Sequence, residues 1–184
     1  MREKIVAEAR SWIGTPYHNC ADIKGVGVDC GMLLVRVFVD LGLVEPFDPR
    51  PYTHDWHMHR DEERYLNLVL PRARRVTAPR IGDVMLFRVG RSYSHGGLIS
   101  RLDPLTIIHA SLPSRVVLEE AVERNAMMGE RVATAIYASV VEGLQRAFSP
   151  RKKPRRRPPR SGRPIPGCNC KRRPTRCRFP SCGE

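Results

Sequence analysis

From Glu3 to Ile13 the chain reads EKIVAEARSWI, with Ile5, Val6, Ala9, Trp12 and Ile13 at the spacing of one helix face, and Gly14 with Pro16 ends the run. The spacing predicts an amphipathic helix over 3–13. A polar, glycine-bearing loop follows, TPYHNCADIKGVGVD, and then Leu33, Leu34, Val37, Phe38 and Leu41 recur at one, three and four residues until Gly42 closes the segment. This second helix is expected to be buried, with Cys30 in its first turn and Asp29 at the N-cap position. Between Glu45 and Arg80 a proline-bearing loop gives way to a shorter helix at roughly 60–70. After Pro79 the period shifts to two. GDVMLFRV, SHGGLISRL, LTIIHASL, RVVLEEAV and VATAIYASV are short β-rich segments, punctuated by Gly90, Pro104 and Pro113, with Gly129 just ahead of the last. Helices first and then a strand meander predict an α+β fold, its antiparallel sheet packed against the cysteine-bearing helix.

Length narrows this to one core, since 184 residues at 41% hydrophobic content are too few for two full-sized domains with linkers. Charge divides the chain. The formal net charge is +13, but thirteen Lys and Arg against the single acid Glu184 lie in 149–184, leaving residues 1–148 close to neutral. That segment also carries Pro150, Pro154, Pro158, Pro159, Pro164 and Pro166 among its arginines, a composition unable to bury a core. The expected organisation is therefore a folded body over 1–148 and a disordered basic tail over 149–184. The charged opening MREKIVAEAR lacks the apolar core of a secretory signal, and no run of about 18 apolar residues suggests a membrane span.

Candidate chemistry centres on Cys30. An apolar helix is an ordinary place for a packing thiol, and free cysteine is among the most buried residue types. A helix's first turn offers something more: unpaired N–H groups and the positive end of the macrodipole favour thiolate, and the same N–H groups can hold an oxyanion. Asp29 acts the other way, because an adjacent negative charge disfavours thiolate. A nucleophile also needs a base, and a base needs an orienting partner. His95 and His109 lie in SHGGLI and TIIHASL, neighbours in a meander, where two histidines on one face of paired strands can hydrogen-bond directly. His54, His57 and His59 fall in a polar loop and read as a solvated cluster rather than a metal site. His18 near Tyr17 is a candidate for lining a substrate. Cys20, in the same loop, is a packing thiol or a redox partner.

Taken in order, GTPY, VDCGMLLV, GDVMLFR, SHGGLI and IIHAS resemble the NlpC-like cell-wall cysteine peptidases, in particular the short versions found among phage tail genes and gene-transfer particles, over about residues 3–140. The resemblance implies a papain-like α+β fold, N-terminal helices on a five- to six-stranded antiparallel sheet. It implies Cys30 as nucleophile, His95 as general base and His109 as the group that orients it. Tyr17 matches the family's loop tyrosine, which lies beside the nucleophile and helps bind substrate or the oxyanion, and Asp29 the aspartate that contacts the substrate's amino group. No metal or cofactor is required. Where the family usually has Ser and then Gly after the nucleophile, this chain has Gly31 and Met32, so a hydroxyl is absent and a bulkier side chain enters the helix–sheet contact. Gly96 and Gly97 are expected to leave room for a peptide at the sheet.

The implied reaction is hydrolysis of a peptidoglycan stem peptide through a thioester acyl-enzyme. A phage-like tail particle would act in the cell envelope after synthesis in the cytoplasm, with tail structural proteins as partners. Two other readings stay open: a catalytically silent tail-assembly component, and a polyanion or nucleic-acid binder working through residues 151–178. Cys168, Cys170, Cys177 and Cys182 fit none of the usual paired zinc spacings.

Overall fold

In the computed structural model of the chain, residues 1–52 and 63–148 are described, the last four without their side chains. The opening helix α1 spans Arg2–Arg10 and buries Ile5, Val6 and Ala9. It stops earlier than its apolar spacing because Trp12 and Ile13 continue in turns that end at Gly14, whose φ of +87° lies in the left-handed region. Strands β1 (Asp22–Ile23) and β2 (Gly27–Val28) form a small hairpin inside what the sequence reads as a loop. Helix α2 follows at Cys30–Asp40 and buries Met32, Leu33, Leu34, Val37 and Phe38. Helix α3 is Arg64–Val69, shorter than the expected 60–70; the first residues of that expected span, like His54, His57 and His59, lie outside the described residues.

Then come β3 (Arg74–Val76), β4 (Val84–Val89), β5 (Ser92–Leu102), β6 (Leu105–Ser111), β7 (Val116–Ala121), the short helix α4 (Ala126–Gly129), β8 (Ile136–Ser139) and the helix α5 (Val140–Phe148). All of β3 to β8 belong to one six-stranded antiparallel sheet of order β3-β8-β4-β5-β6-β7. The meander expected from the sequence holds for β4 to β7. The last β-rich segment departs from it: β8 crosses back to pair with β4, and its opening residues Val132–Thr134 form a 3-10 turn. The far edge of β7 is free for a different partner. Gly14 donates to the Val117 carbonyl, Val117 to that of Thr15 and Tyr17 to that of Arg115, all at 2.9 Å. This stitches the segment after α1 onto the sheet and carries Tyr17 beside β2.

Alternation along the central strands sends side chains into two cores. Val84, Leu86, Leu98, Ile108 and Ala110 meet α1 and α2 on one face. Met85, Phe87, Ile99 and Ile107 meet Val122 and Met128 on the other, beneath the excursion between β7 and β8. The chain has the expected α+β arrangement, a cysteine-headed helix laid on an antiparallel sheet.

Candidate active site

Asp29 fixes the head of α2. Its Oδ1 accepts the Met32 amide at 2.8 Å as an N-cap, and its carbonyl accepts the Leu33 amide at 2.9 Å. Of the first-turn amides, those of Cys30 and Gly31 remain for an oxyanion. The other oxygen of Asp29 accepts the Cys20 amide at 2.7 Å, and the Tyr52 hydroxyl reaches both oxygens at 3.0 and 2.8 Å. At 2% exposure the carboxylate is held by three donors of the protein itself, which gives it a structural task at the head of α2, and it also borders the cavity beside Cys30. Cys20, at a positive φ of 59°, donates its thiol to the Tyr52 carbonyl at 3.1 Å and so belongs to the same loop clasp.

Cys30 reaches β5 from the α2 side. Its Sγ lies 3.9 Å from the carbonyl of Ser94, and the amide of Gly96 also faces the sulfur, so the thiol sits against the main chain on both sides of His95. The imidazole of His95 turns towards β6. Its residue is in register with Phe87, and its Nε2 is 2.9 Å from Nδ1 of His109, with the two rings edge to face. Sγ and the His95 ring form no hydrogen bond, and His95 Nδ1 has no partner among the described residues. The structure thus joins His95 to His109 directly and brings Cys30 to the Ser94 carbonyl and the Gly96 amide that flank His95.

Electrostatics oppose a preformed ion pair. Burial, and then Asp29, push the Cys30 thiol up to about 12, while burial, and then His109, push His95 down to about 3. The helix-terminus effect that favours thiolate is outweighed here, because it is worth about 1 kcal/mol whereas a buried group without a counter-charge shifts by several pKa units. The resting pair is a neutral thiol and a neutral imidazole. Tyr17 and Tyr65 are likewise held protonated, chiefly by burial and then by Cys30. Tyr65 donates to the Cys30 carbonyl at 3.1 Å.

A cavity of about 120 Å³ adjoins Cys30, bordered by Tyr17, Tyr52, Tyr65 and Ser94 and by apolar side chains of α2 and α3. His18 is not among its lining residues. Its ring packs on Gly27, where an added Cβ would fall 2.8 Å from it. Gly96 and Gly97 also serve the protein's own packing. A Cβ at Gly96 would lie 2.9 Å from Leu86, 3.0 Å from the Tyr65 hydroxyl and 3.3 Å from Leu34, and one at Gly97 2.8 Å from Ile107 and 3.0 Å from His109. The glycines admit α2 on one face and His109 on the other, and no peptide is needed to explain them. At Gly31 a Cβ would find only contacts of 3.5 Å or more, and Met32 is a buried core residue. The close helix–sheet approach therefore depends on Gly96 and not on Gly31, while Met32 packs into the core.

One residue escaped the sequence reading. Glu120 places Oε1 2.9 Å from His109 Nε2. The signal for it was faint, because Glu119 and Glu120 adjoin and only the β6–β7 register, Ile107 opposite Glu120, puts the second on the histidine face. Among the described residues no three His, Cys, Asp or Glu side chains could together hold a metal ion.

No family model and no curated protein matches this sequence. Among solved structures, the NlpC/p60 domain of the peptidoglycan hydrolase SagA is similar, at 21% identity over 76% of this chain and 97% of that one, with a TM-score of 0.48. A p60 domain from an M. avium subspecies paratuberculosis antigen is 19% identical over 76% and 94% of the two chains, TM-score 0.47. NlpC1 from Trichomonas vaginalis is 16% identical with a TM-score of 0.49; the match covers 68% of this chain and 40% of the Trichomonas one.

Proposed function

We propose that residues 1–148 form a cysteine peptidase that cleaves peptidoglycan stem peptides. The observation that carries this reading is the convergence at one point of β5: Cys30 heads a helix whose first amides are open, its sulfur rests on both sides of residue 95, and His95 presents an unpartnered Nδ1 backed by His109. Apo contacts of this kind are often long and tighten only when substrate is bound.

In the proposed reaction, Sγ attacks the amide carbonyl carbon as the thiol proton passes to His95 Nδ1, the two steps coupled because neither the thiolate nor the imidazolium is stable alone in this environment. The amides of Cys30 and Gly31 hold the tetrahedral oxyanion. Collapse breaks the C–N bond, with the proton on His95 given to the leaving amine, and a thioester remains on Cys30. Water, deprotonated by His95, attacks the thioester and releases the acid and the thiol. The ordered sequence motifs support a stem peptide as substrate, and with it delivery to the cell envelope as a component of a phage-like tail.

The absent Sγ–imidazole bond and the buried Asp29 beside the thiol favour one rival, a tail component that keeps the fold without turnover. Purified peptidoglycan incubated with the wild type is expected to gain new amino termini, and to gain none with Cys30→Ala or His95→Ala. Release by Cys30→Ala equal to wild type would overturn the reading, and silence of the wild type would establish the rival. In the same series a chain ending at residue 148 is expected to keep hydrolysis and lose any salt-sensitive binding to polyanions.

A further inference from the structure

The hydrogen bonds behind His95 run further than a nucleophile, a base and one orienter require. His109 is 1% exposed; its Nδ1 faces His95 Nε2 and its Nε2 faces Glu120 Oε1, both at 2.9 Å. Asn125 Nδ2 donates to that same Glu120 oxygen at 2.9 Å, and Asn125 Oδ1 accepts the Met128 amide at 3.3 Å as the N-cap of α4. A backbone amide only donates and a carboxylate only accepts, so the orientation of the Asn125 amide is fixed at both ends. Glu120 also borders a polar depression that it shares with Arg10, Arg101 and Arg124, and its side chain keeps 24% of its exposure there.

The protonation of the whole row follows from that fixed end. Glu120 Oε1 accepts from Asn125 Nδ2 and is the acceptor for His109 as well, so His109 Nε2 carries the proton. Burial keeps His109 neutral, its affinity for a second proton lowered, and so its Nδ1 is the acceptor. His95 Nε2 must then be the donor, and His95 Nδ1 is left with a lone pair. Reversed, the row would place the hydrogen on His95 Nδ1, where it could take nothing from a thiol.

We propose that Glu120, held in place by Asn125, is a positioning residue that selects the tautomer of His95 from two imidazoles away and so makes Nδ1 the nitrogen able to accept a proton. The inference deepens the peptidase reading and rests on it for its purpose, but the tautomers can be observed whether or not the chain turns over substrate.

Long-range proton–nitrogen NMR correlations of the histidine rings at pH 7.5 read them directly. In the wild type both His95 and His109 are expected to show a protonated Nε2 and an unprotonated Nδ1. Glu120→Gln keeps an acceptor oxygen and is expected to preserve this pattern; Glu120→Ala is expected to mix or reverse it. Asn125→Ala, which leaves the carboxylate present but unheld, is expected to fall between. A wild type with the hydrogen on His95 Nδ1 overturns the proposal even if no variant folds, and so does an unchanged pattern in Glu120→Ala. In the hydrolysis assay Glu120→Ala should lower kcat about tenfold or more with KM little changed, and Glu120→Gln should restore most of it. A wild type that hydrolyses nothing would defeat the peptidase reading alone, since the spectra decide the tautomer separately.

Discussion

Cys30 is placed by a residue that opposes its ionisation. Asp29 builds the head of α2 by accepting from Met32, Cys20 and Tyr52, and the same buried charge, after burial itself, lifts the thiol. The sign of any perturbation is therefore fixed: removing the charge must ease thiolate formation. Labelling of Cys30 by iodoacetamide is expected to be slow at pH 7 and still rising above pH 9, later than an ordinary cysteine with its pKa near 8.5. Asp29→Asn, which keeps a capping oxygen, is expected to move that profile to lower pH while weakening the fold by about 1–3 kcal/mol through the lost charge-assisted bonds. A profile that does not move would mean that burial alone sets the thiol. The sequence placed Asp29 and Cys30 correctly on the helix, yet it could not rank dipole against burial, because burial is supplied by Tyr65 and β5, residues remote in the chain.

The meeting of α2 with β5 carries the geometry of the site at the scale of elements. Gly96 lets Leu34 and Tyr65 lie against the strand, and an added Cβ there would fall 2.9 Å from Leu86, 3.0 Å from the Tyr65 hydroxyl and 3.3 Å from Leu34. Gly96→Ala is expected to destabilise by about 1–3 kcal/mol, the usual cost of overpacking. It should also lower activity more than stability, because the helix must move back and take Cys30 with it. Gly31→Ser should do neither. Its Cβ meets ordinary contacts beside Asp29 and the Tyr52 hydroxyl, and serine is the better helix former by about 0.5 kcal/mol, so melting is expected to be unchanged or slightly later. Chemical denaturation and the peptidoglycan assay on the two variants together check this: equal losses from both would locate the close contact at the helix start after all. Periodicity made α1, α2 and the strands β4 to β7 legible, since each buries one repeating face. The β1–β2 hairpin and β3 were not legible, as strands of two and three residues are too short to show a period.

For the whole molecule, His95 and His109 make stability depend on pH. His95 binds its proton only near pH 3 when folded, against the ordinary 6.5, because of burial and then His109. Between those values the unfolded chain is protonated and the folded one is not, so acidification draws the equilibrium towards unfolding. The contribution is intact above about pH 6.5 and declines as pH falls below it, by up to about 1.4 kcal/mol per pH unit for this group. Urea unfolding at pH 7.5, 6 and 5 is expected to show that slope, and His95→Gln to reduce it. A slope equal in the two proteins would place the acid sensitivity elsewhere.

What the sequence by itself determined is what local spacing can carry: the helix headed by Cys30, its aspartate cap, the alternating strands, and the pairing of His95 with His109 on one face. These follow from periods of 3.6 and two residues and from neighbours in a meander, all visible along the chain. Tertiary structure alone decided how those pieces act. It sent β8 back across the sheet beside β4, turned Gly96 and Gly97 into packing clearances, and closed Asp29 off with Tyr52 and Cys20. It also set Glu120 behind His109 and put the Cys30 sulfur against the Ser94 carbonyl and the Gly96 amide. The physical reason is that register, burial and charge balance arise from contacts between residues 9 to 64 positions apart, as with Asp29 and Cys20 or Cys30 and Ser94, and no local pattern records which of them will touch.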